Sequence, residues 1–192
     1  EYQTKWMDVY REKLAGTTST AEPSETGGTS SSSAPSTCPG GSLAVSGDYA
    51  LPVERPWYDE HPEWFTKPHH DYPAADIPVP TGTPLYAITN GVVISTPTSG
   101  RCGIGVIING DDGAQYTYCH GLPGSHAVTT GDTVTLGQHL MDSASTGNST
   151  GPHLHFAIKV DGTARCPQAL LVSIADGAPV TPGSLAASGC SY

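Results

Sequence analysis

Two turn dipeptides, Asn90-Gly91 and Asp112-Gly113, constrain the fold of this chain more than any other feature. Both favour the tight turns that connect antiparallel strands. They punctuate short runs rich in Val, Ile, Thr and Tyr, which are strand-forming residues. The runs are residues 85–88, 92–95, 105–108, 115–119, 133–136 and 153–160. Asn90-Gly91 is predicted to join the first two runs in a hairpin, and Asp112-Gly113 the third and fourth. No long amphipathic helix interrupts the runs, so we predict an all-β, mainly antiparallel domain with long loops.

The chain before this domain divides into two parts. Residues 1–15 carry apolar side chains at helical spacings and predict a short helix, either the stub of an upstream region or a small docking element. Residues 16–41 are mostly Ser, Thr, Gly, Pro and Glu, which cannot bury enough apolar surface to fold, and are predicted to be a linker. Residues 42–192 are then the folded domain.

The charge balance excludes two classes of partner. The sequence has 8 Lys and Arg against 18 Asp and Glu, a net charge of −10. Nucleic-acid binding and attraction to an anionic membrane both rely on clustered Lys and Arg, and no such cluster is present. No apolar run approaches the ~20 residues that span a bilayer. We therefore expect no nucleic-acid partner and no membrane insertion. No signal peptide is visible, and the oligomeric state is not indicated.

The five cysteines favour two disulfides. None forms a C-x-x-C pair, which argues against a structural zinc cluster or a thioredoxin-type motif. Cys102 and Cys119 flank a predicted hairpin, and Cys166 with Cys190 would tie down the C-terminal tail. Cys38 remains in the linker, either free or paired with another chain. Two disulfides are typical of extracytoplasmic proteins, and five reduced cysteines in a cytosolic protein are the alternative.

A pair of histidines lies in the last predicted strand. Residues i and i+2 of a strand point to the same face, so His153 and His155 project together while Leu154 and Phe156 face the other way. Two adjacent imidazoles suit a metal ligand and a neighbouring acid–base group. A pair of exposed strand histidines is the plainer alternative.

Two further segments carry the same chemistry. His69, His70 and Asp76 bring imidazole and carboxylate groups close together in sequence. Two histidine nitrogens, one carboxylate oxygen and an open fourth position form the arrangement that catalytic zinc favours, although His69 and His70 could equally be polar loop residues. His120 ends a strand after alternating tyrosines, where it could cap a hairpin or orient water in a zinc site.

In combination and in order, these segments resemble the lysostaphin-like (LytM-type) zinc endopeptidases, which cut peptidoglycan peptides. The resemblance covers roughly residues 49–160. Its matching segments are residues 76–84, 90–93, 118–120, 134–137, 145–151 and 152–156, preceded by the His…Asp segment. The ordered set is far more specific than any single motif. It implies a small antiparallel β-sheet core with the site in a groove walled by loops.

The resemblance also implies roles for individual residues. Zn²⁺ would be held by His70, Asp76 and His155. His120 and His153 would be the catalytic histidines, which polarise the zinc-activated water and stabilise the tetrahedral intermediate.

One departure concerns the first ligand. The usual spacing is H-x-x-x-D, which places Tyr72 at the ligand position, whereas His70 lies two residues further from Asp76 and His69 three. A small bulge would have to let one of the histidines reach the metal. We favour His70 over His69 because it needs the smaller bulge.

These features predict a zinc-dependent endopeptidase that hydrolyses peptide cross-links of bacterial peptidoglycan, secreted or associated with the cell wall. Four residues are candidates for substrate binding: Tyr118, Asn148, Ser149 and Thr150. The alternatives are a non-catalytic peptidoglycan-binding or activator module, and the wall-penetrating part of a phage or DNA-transfer apparatus.

Overall fold

Short antiparallel strands dominate the structure, a computed structural model that describes residues 42–190. The strands are β1 (Val45–Ser46), β2 (Tyr49–Ala50), β3 (Ala75–Ile77), β4 (Pro84–Tyr86), β5 (Gly91–Ser95), β6 (Thr98–Ser99), β7 (Gly103–Gly110), β8 (Ala114–Gly121), β9 (Thr133–Val134), β10 (His139–Asp142), β11 (Leu154–Val160) and β12 (Thr163–Arg165). The helix predicted over residues 1–15, the linker over 16–41 and Cys38 lie outside the described residues, so they stay predictions.

One sheet contains most of the strands. Its order is β12-β11-β8-β7-β5-β9, with β3 paired to β11 and β6 paired to β7. Two smaller sheets pair β1 with β2 and β4 with β10. Every pairing between these strands is antiparallel. The predicted fold class, mainly antiparallel β, is confirmed.

Three short α-helices in the described residues were not predicted. They are α1 (Arg55–Glu60), α2 (Pro62–Thr66) and α3 (Gln168–Ala175), followed by a 3₁₀ turn at Pro182–Ser184. Helices α1 and α2 precede β3, and each has a proline in its first turn, where the fixed φ of proline suits a helix. Helix α3 is buried on nearly all sides, so it lacks the amphipathic period that reveals a surface helix. None of the described helices is long and apolar enough to cross a membrane.

The two turn dipeptides have different outcomes. Asp112-Gly113 joins β7 to β8 as predicted, and Gly113 adopts a φ of +81° that glycine tolerates best. The hairpin predicted at Asn90-Gly91 is wrong, because β4 pairs with β10 and β5 pairs with β7 and β9. A Cβ atom on Gly91 would collide with the carbonyl oxygen of Asn109. Glycine is needed there for close strand approach, not for a turn.

The core lies on one face of β8 and β11. Tyr116 and Tyr118 of β8 and Leu154 and Phe156 of β11 are fully buried, and Tyr118 lies directly opposite Phe156 in the strand register. The aromatic rings of these two residues meet edge to face with centroids 5.2 Å apart. The other face of β11 is therefore free to carry polar side chains. The described residues fall within one structural unit.

Both predicted disulfides are confirmed. Cys102 bonds Cys119, and Cys166 bonds Cys190. The first links the segment before β7 to the end of β8, next to His120. The second fastens the C-terminal segment to Cys166, two residues before α3 begins. Each closes a loop that would otherwise gain conformational entropy on unfolding.

Candidate metal centre

Strand pairing brings Asp76 and His155 together. Strand β11 runs between β3 and β8, and in the register His155 lies opposite Asp76 on one side and opposite Cys119 on the other. The Nδ1 atom of His155 donates to Oδ1 of Asp76 at 2.7 Å. His153 precedes β11 on the same face, and His120 follows Cys119. Three neighbouring strands and the residue that precedes β11 thus supply four polar side chains to one place.

The Asp76 carboxylate is the centre of this cluster. Besides the bond to His155, its Oδ1 lies 3.7 Å from Nε2 of His153 and its Oδ2 lies 3.8 Å from Nε2 of His69. Burial alone would raise the pKa of the Asp76 carboxyl, but the hydrogen bond from His155 and the nearby imidazoles outweigh burial and lower that pKa. The carboxylate is therefore ionised at neutral pH, the form in which it can hold a cation.

Three of these side chains fit a metal ion. His69, Asp76 and His155 each offer one donor atom, and the three atoms lie within 4.8 Å of one another. Two imidazole nitrogens and one carboxylate oxygen form a donor set that catalytic zinc favours, with one coordination position open. The imidazoles of His69 and His155 are about nine-tenths buried, whereas Asp76 is 37% exposed. The donor set thus opens to solvent on the carboxylate side.

The structure corrects the preference for His70. Its side chain is 78% exposed and contacts Asp71, with Nε2 of His70 3.2 Å from Oδ2 of Asp71. The amide of His69 donates to the carbonyl of Ala74 at 3.2 Å, which closes residues 69–74 into a loop. His69 stands at the base of that loop, against Asp76, and His70 stands on its outward side. The sequence favours His70 because it needs the smaller bulge to reach the metal. The loop that forms instead brings His69 to Asp76.

The His69 ring is held by a backbone contact. The amide of Asp71 donates to its Nδ1 at 3.2 Å. Its Nε2 is consequently the nitrogen directed at Asp76. Burial lowers the pKa of the His69 imidazole more than the neighbouring carboxylates raise it. The ring is neutral at pH 7, as a metal ligand must be. With Nδ1 accepting, the single proton of the ring lies on Nε2, so binding a cation through Nε2 would require that proton to move to Nδ1 and the Asp71 amide to be released.

The two remaining histidines are oriented alike. Nδ1 of His120 donates to the carbonyl of Thr146 at 2.7 Å, and Nδ1 of His153 donates to the carbonyl of Gly151 at 2.8 Å. A carbonyl only accepts, so each neutral ring carries its proton on Nδ1 and leaves Nε2 as the basic nitrogen. The two ring centroids lie 4.6 Å apart. Burial lowers the pKa of His120 more than any other contact shifts it.

Comparison with known protein families identifies the family to which this chain belongs. The sequence profile of peptidase family M23 matches residues 70–167, just over half of the chain. The chain belongs to peptidase family M23. The match begins one residue after His69, so the place of His69 in the cluster of this M23 domain rests on geometry alone.

Several curated relatives are similar over the same region. The chain is 35% identical to peptidoglycan DD-endopeptidase ShyA of Vibrio cholerae over 95 residues, 50% of this chain and 21% of ShyA. It is 38% identical to lysostaphin of Staphylococcus simulans over 111 residues, 53% of this chain and 22% of lysostaphin. The matched region thus spans about a fifth of each relative.

Solved structures agree on the fold. The catalytic domain of lysostaphin from Staphylococcus simulans superposes with a TM-score of 0.52 at 28% identity, covering 63% of this chain and 99% of that domain. A putative M23 peptidase from Pseudomonas aeruginosa gives a TM-score of 0.51 at 25% identity, covering 71% of this chain and 51% of that protein.

The loop before β11 anchors His120 in the M23 domain. The hydroxyl of Thr146 donates to the carbonyl of Gly121 at 2.8 Å and accepts from the amide of Ile104 at 3.0 Å. The amide of Asn148 donates to the carbonyl of Arg101 at 2.9 Å. These bonds lay the loop against the segment that carries Cys102. The Thr146 carbonyl, which holds His120, is thereby fixed.

The candidate substrate-binding residues fall into two groups. Tyr118 is fully buried and its hydroxyl accepts from the amide of Ile88 at 2.9 Å, so its predicted place in the groove is wrong. Asn148 and Thr150 are exposed in the loop beside the cluster. The hydroxyl of Ser149 donates to the same Gly151 carbonyl that holds His153. Substrate contact by these three loop residues stays a prediction.

Sequence reasoning missed one residue of the site. The hydroxyl of Tyr72 lies 2.9 Å from Nε2 of His155, on the side of that ring away from Asp76. Tyr72 stands four residues before Asp76, where H-x-x-x-D spacing expects a ligand. That coincidence was the signal that could have identified it.

Proposed function

We propose that this M23 domain is a zinc-dependent endopeptidase that hydrolyses peptide cross-links of bacterial peptidoglycan. The observation that carries the proposal is the convergence of His69, Asp76 and His155 on one point, with two correctly oriented histidines beside them. A non-catalytic module needs no such complete donor set. Similarity to relatives such as ShyA, a peptidoglycan DD-endopeptidase, supports this substrate class.

The metal would be held by His69 Nε2, Asp76 and His155 Nδ1, the atoms that face one another. Bound zinc supplies a Lewis acid that polarises the scissile carbonyl and lowers the pKa of water to about 7. The ionised Asp76 carboxylate offsets part of the cation's charge. The outer edge of Asp76 is exposed, which leaves room for an extended peptide to approach.

The two other histidines would move protons. With Nδ1 bonded to a carbonyl, Nε2 of His120 or His153 can take a proton from the attacking water and return it to the leaving amine. Positioned acid–base groups of this kind contribute ~10²–10⁴-fold to rate. Burial keeps His120 neutral at pH 7, because it lowers the pKa of the ring. Neutral imidazole is the form that accepts a proton.

The direct test measures metal and product together. Purified protein is expected to carry stoichiometric zinc by elemental analysis and to release new peptide termini, identified by mass spectrometry, from walls of known cross-link type. Removing the metal with a chelator should abolish cleavage, and added zinc should restore it. Protein that holds no zinc and cleaves no purified peptidoglycan would contradict the proposal.

Because peptidoglycan lies outside the membrane, the proposal places the domain outside the cytoplasm.

A glycine substitution tests the anchoring of His120. Gly103 has a φ of +66°, and a Cβ atom there would lie 2.5 Å from backbone atoms of Thr146 and Gly147. Gly103→Ala should push the loop outward, displace the Thr146 carbonyl and lower kcat about 10- to 100-fold, as small misplacements do. Zinc content should be unchanged.

The matched control is Gly113→Ala. Its φ of +81° imposes similar backbone strain, yet nothing lies within 4 Å of a Cβ atom there. It should therefore lose stability without losing kcat. Equal loss of kcat in both variants would show that general destabilisation, and not the anchor, is responsible.

A further inference from the structure

Tyr72 makes a contact that the proposed chemistry does not use. Its hydroxyl is 2.9 Å from Nε2 of His155, and its ring centroid lies 4.6 Å from that of His69. The residue is 46% exposed, so it forms the outer wall of the donor set. Since exposed tyrosines readily bond to water, a bond to a buried imidazole calls for an explanation.

We infer that Tyr72 is a positioning residue, whose hydroxyl holds the His155 ring with Nδ1 directed at the metal. The inference rests on the proposed zinc site. Without metal, Nδ1 of His155 bonds to Asp76 at 2.7 Å, and in the form of the ring that carries a single proton this nitrogen is the donor. The Nε2 atom of the ring then accepts from the Tyr72 hydroxyl.

Metal binding reverses the direction of that second bond. Once Nδ1 gives its lone pair to a cation, the single proton of the neutral ring must lie on Nε2. A tyrosine hydroxyl is both donor and acceptor, so Tyr72 can then accept from Nε2–H without moving. A carboxylate or carbonyl could only accept, and it would favour the metal-ready tautomer in both states. The hydroxyl therefore stays bonded in both states. Its bond is stronger in the loaded state, because a cation on Nδ1 makes Nε2–H a more acidic donor, and this difference is what favours metal binding.

The loop geometry explains how a tyrosine comes to fill this place. The His69 amide bonds to the Ala74 carbonyl, so residues 70–73 project outward from the base of the loop. Tyr72 folds back from that projection over the rings of His69 and His155, with centroids 4.6 Å and 5.7 Å away. Relative to H-x-x-x-D spacing, three additional residues separate His69 from Asp76, so the position four before Asp76 is not a histidine. Tyr72 occupies that position with a side chain long enough to reach the far nitrogen of His155.

The test compares Tyr72→Phe with the wild type in the intact chain. Loss of a partner that orients a metal-bound histidine typically weakens metal affinity ~10- to 100-fold. Zinc Kd, measured by competition with a chromophoric chelator, should rise by that factor. Phenylalanine preserves the ring, so circular dichroism and the melting temperature should stay close to wild type. Tyr49→Phe, which removes a hydroxyl bonded to Asp112 away from the cluster, should leave zinc Kd unchanged.

A second readout reports the hydrogen bond itself. In zinc-loaded protein, ¹⁵N spectra of the histidine rings should show the His155 proton on Nε2, protected from exchange in wild type and exchanging rapidly in Tyr72→Phe. A variant with wild-type zinc Kd and a protected Nε2–H would overturn the inference while leaving the zinc site intact. Wild-type protein that binds no zinc would instead overturn the proposed function, and the inference with it.

Discussion

His155→Ala is expected to remove zinc and abolish peptide hydrolysis. Its imidazole is one of the three candidate donors, is buried, and bonds Asp76 through Nδ1. Losing a donor should weaken zinc binding more than losing an orienting partner, so we expect an affinity loss above ~100-fold. Elemental analysis of dialysed protein and chelator competition measure this effect.

The histidine pair at the start of the bulge supplies the matched comparison. His69→Ala should lose zinc as His155→Ala does, because its Nε2 faces Asp76. His70→Ala should keep zinc and activity, because its side chain is 78% exposed and contacts Asp71 instead. The reverse pattern, zinc lost with His70→Ala and kept with His69→Ala, would show that the loop over residues 69–74 is arranged differently in the loaded protein.

Side-chain alternation was enough to predict the histidine face of β11. A strand period of two separates His153 and His155 from Leu154 and Phe156, and the two apolar residues are fully buried. The disulfide between Cys102 and Cys119 could also be predicted from the sequence, because these two cysteines flank predicted strands. Such features depend on short stretches of sequence, and local patterns suffice to predict them.

Alternation fails at His120 for a physical reason. Tyr116 and Tyr118 both point into the core, so a regular strand would send His120 to the same face. Instead His120 has a φ of +68°, a left-handed conformation that is uncommon for residues other than glycine. Its ring is thereby turned towards the cluster, with a centroid 5.8 Å from that of His155. Strain of this kind persists only where surrounding contacts over-determine it.

Those contacts come from distant parts of the chain. The His120 amide donates to the carbonyl of Cys102 at 2.9 Å, and its carbonyl accepts from the amide of Ala144 at 2.8 Å. The disulfide at Cys119 fastens the preceding residue. The sequence on either side of His120 does not indicate any of these partners. For the same reason, counting along the chain could not choose between His69 and His70, since the deciding bond reaches across the loop to Ala74.

His153→Ala is expected to keep zinc while kcat falls ~10²–10⁴-fold, the contribution of a positioned acid–base group. His153 Nε2 lies 3.7 Å from Asp76 Oδ1. Metal coordination by His153 is therefore the alternative role that this variant tests. The Nδ1 atom of His153 is bonded to the Gly151 carbonyl. That anchor holds the ring beside the donor set and leaves Nε2 available to a substrate proton. Zinc content and steady-state kinetics on a cross-linked peptide measure the two effects separately.

Comparison with His155→Ala decides the roles of the pair. Equal zinc loss in the two variants would refute the division into a ligand and an acid–base group.

If the division holds, His120→Ala should also keep zinc and lose kcat, because its Nδ1 is anchored in the same way. The double variant then shows whether the two act together. Groups that work as one unit lose little more when both are removed than when either is. A double variant that loses the product of the two factors would mean that His120 and His153 serve separate steps, one on the attacking water and one on the tetrahedral intermediate.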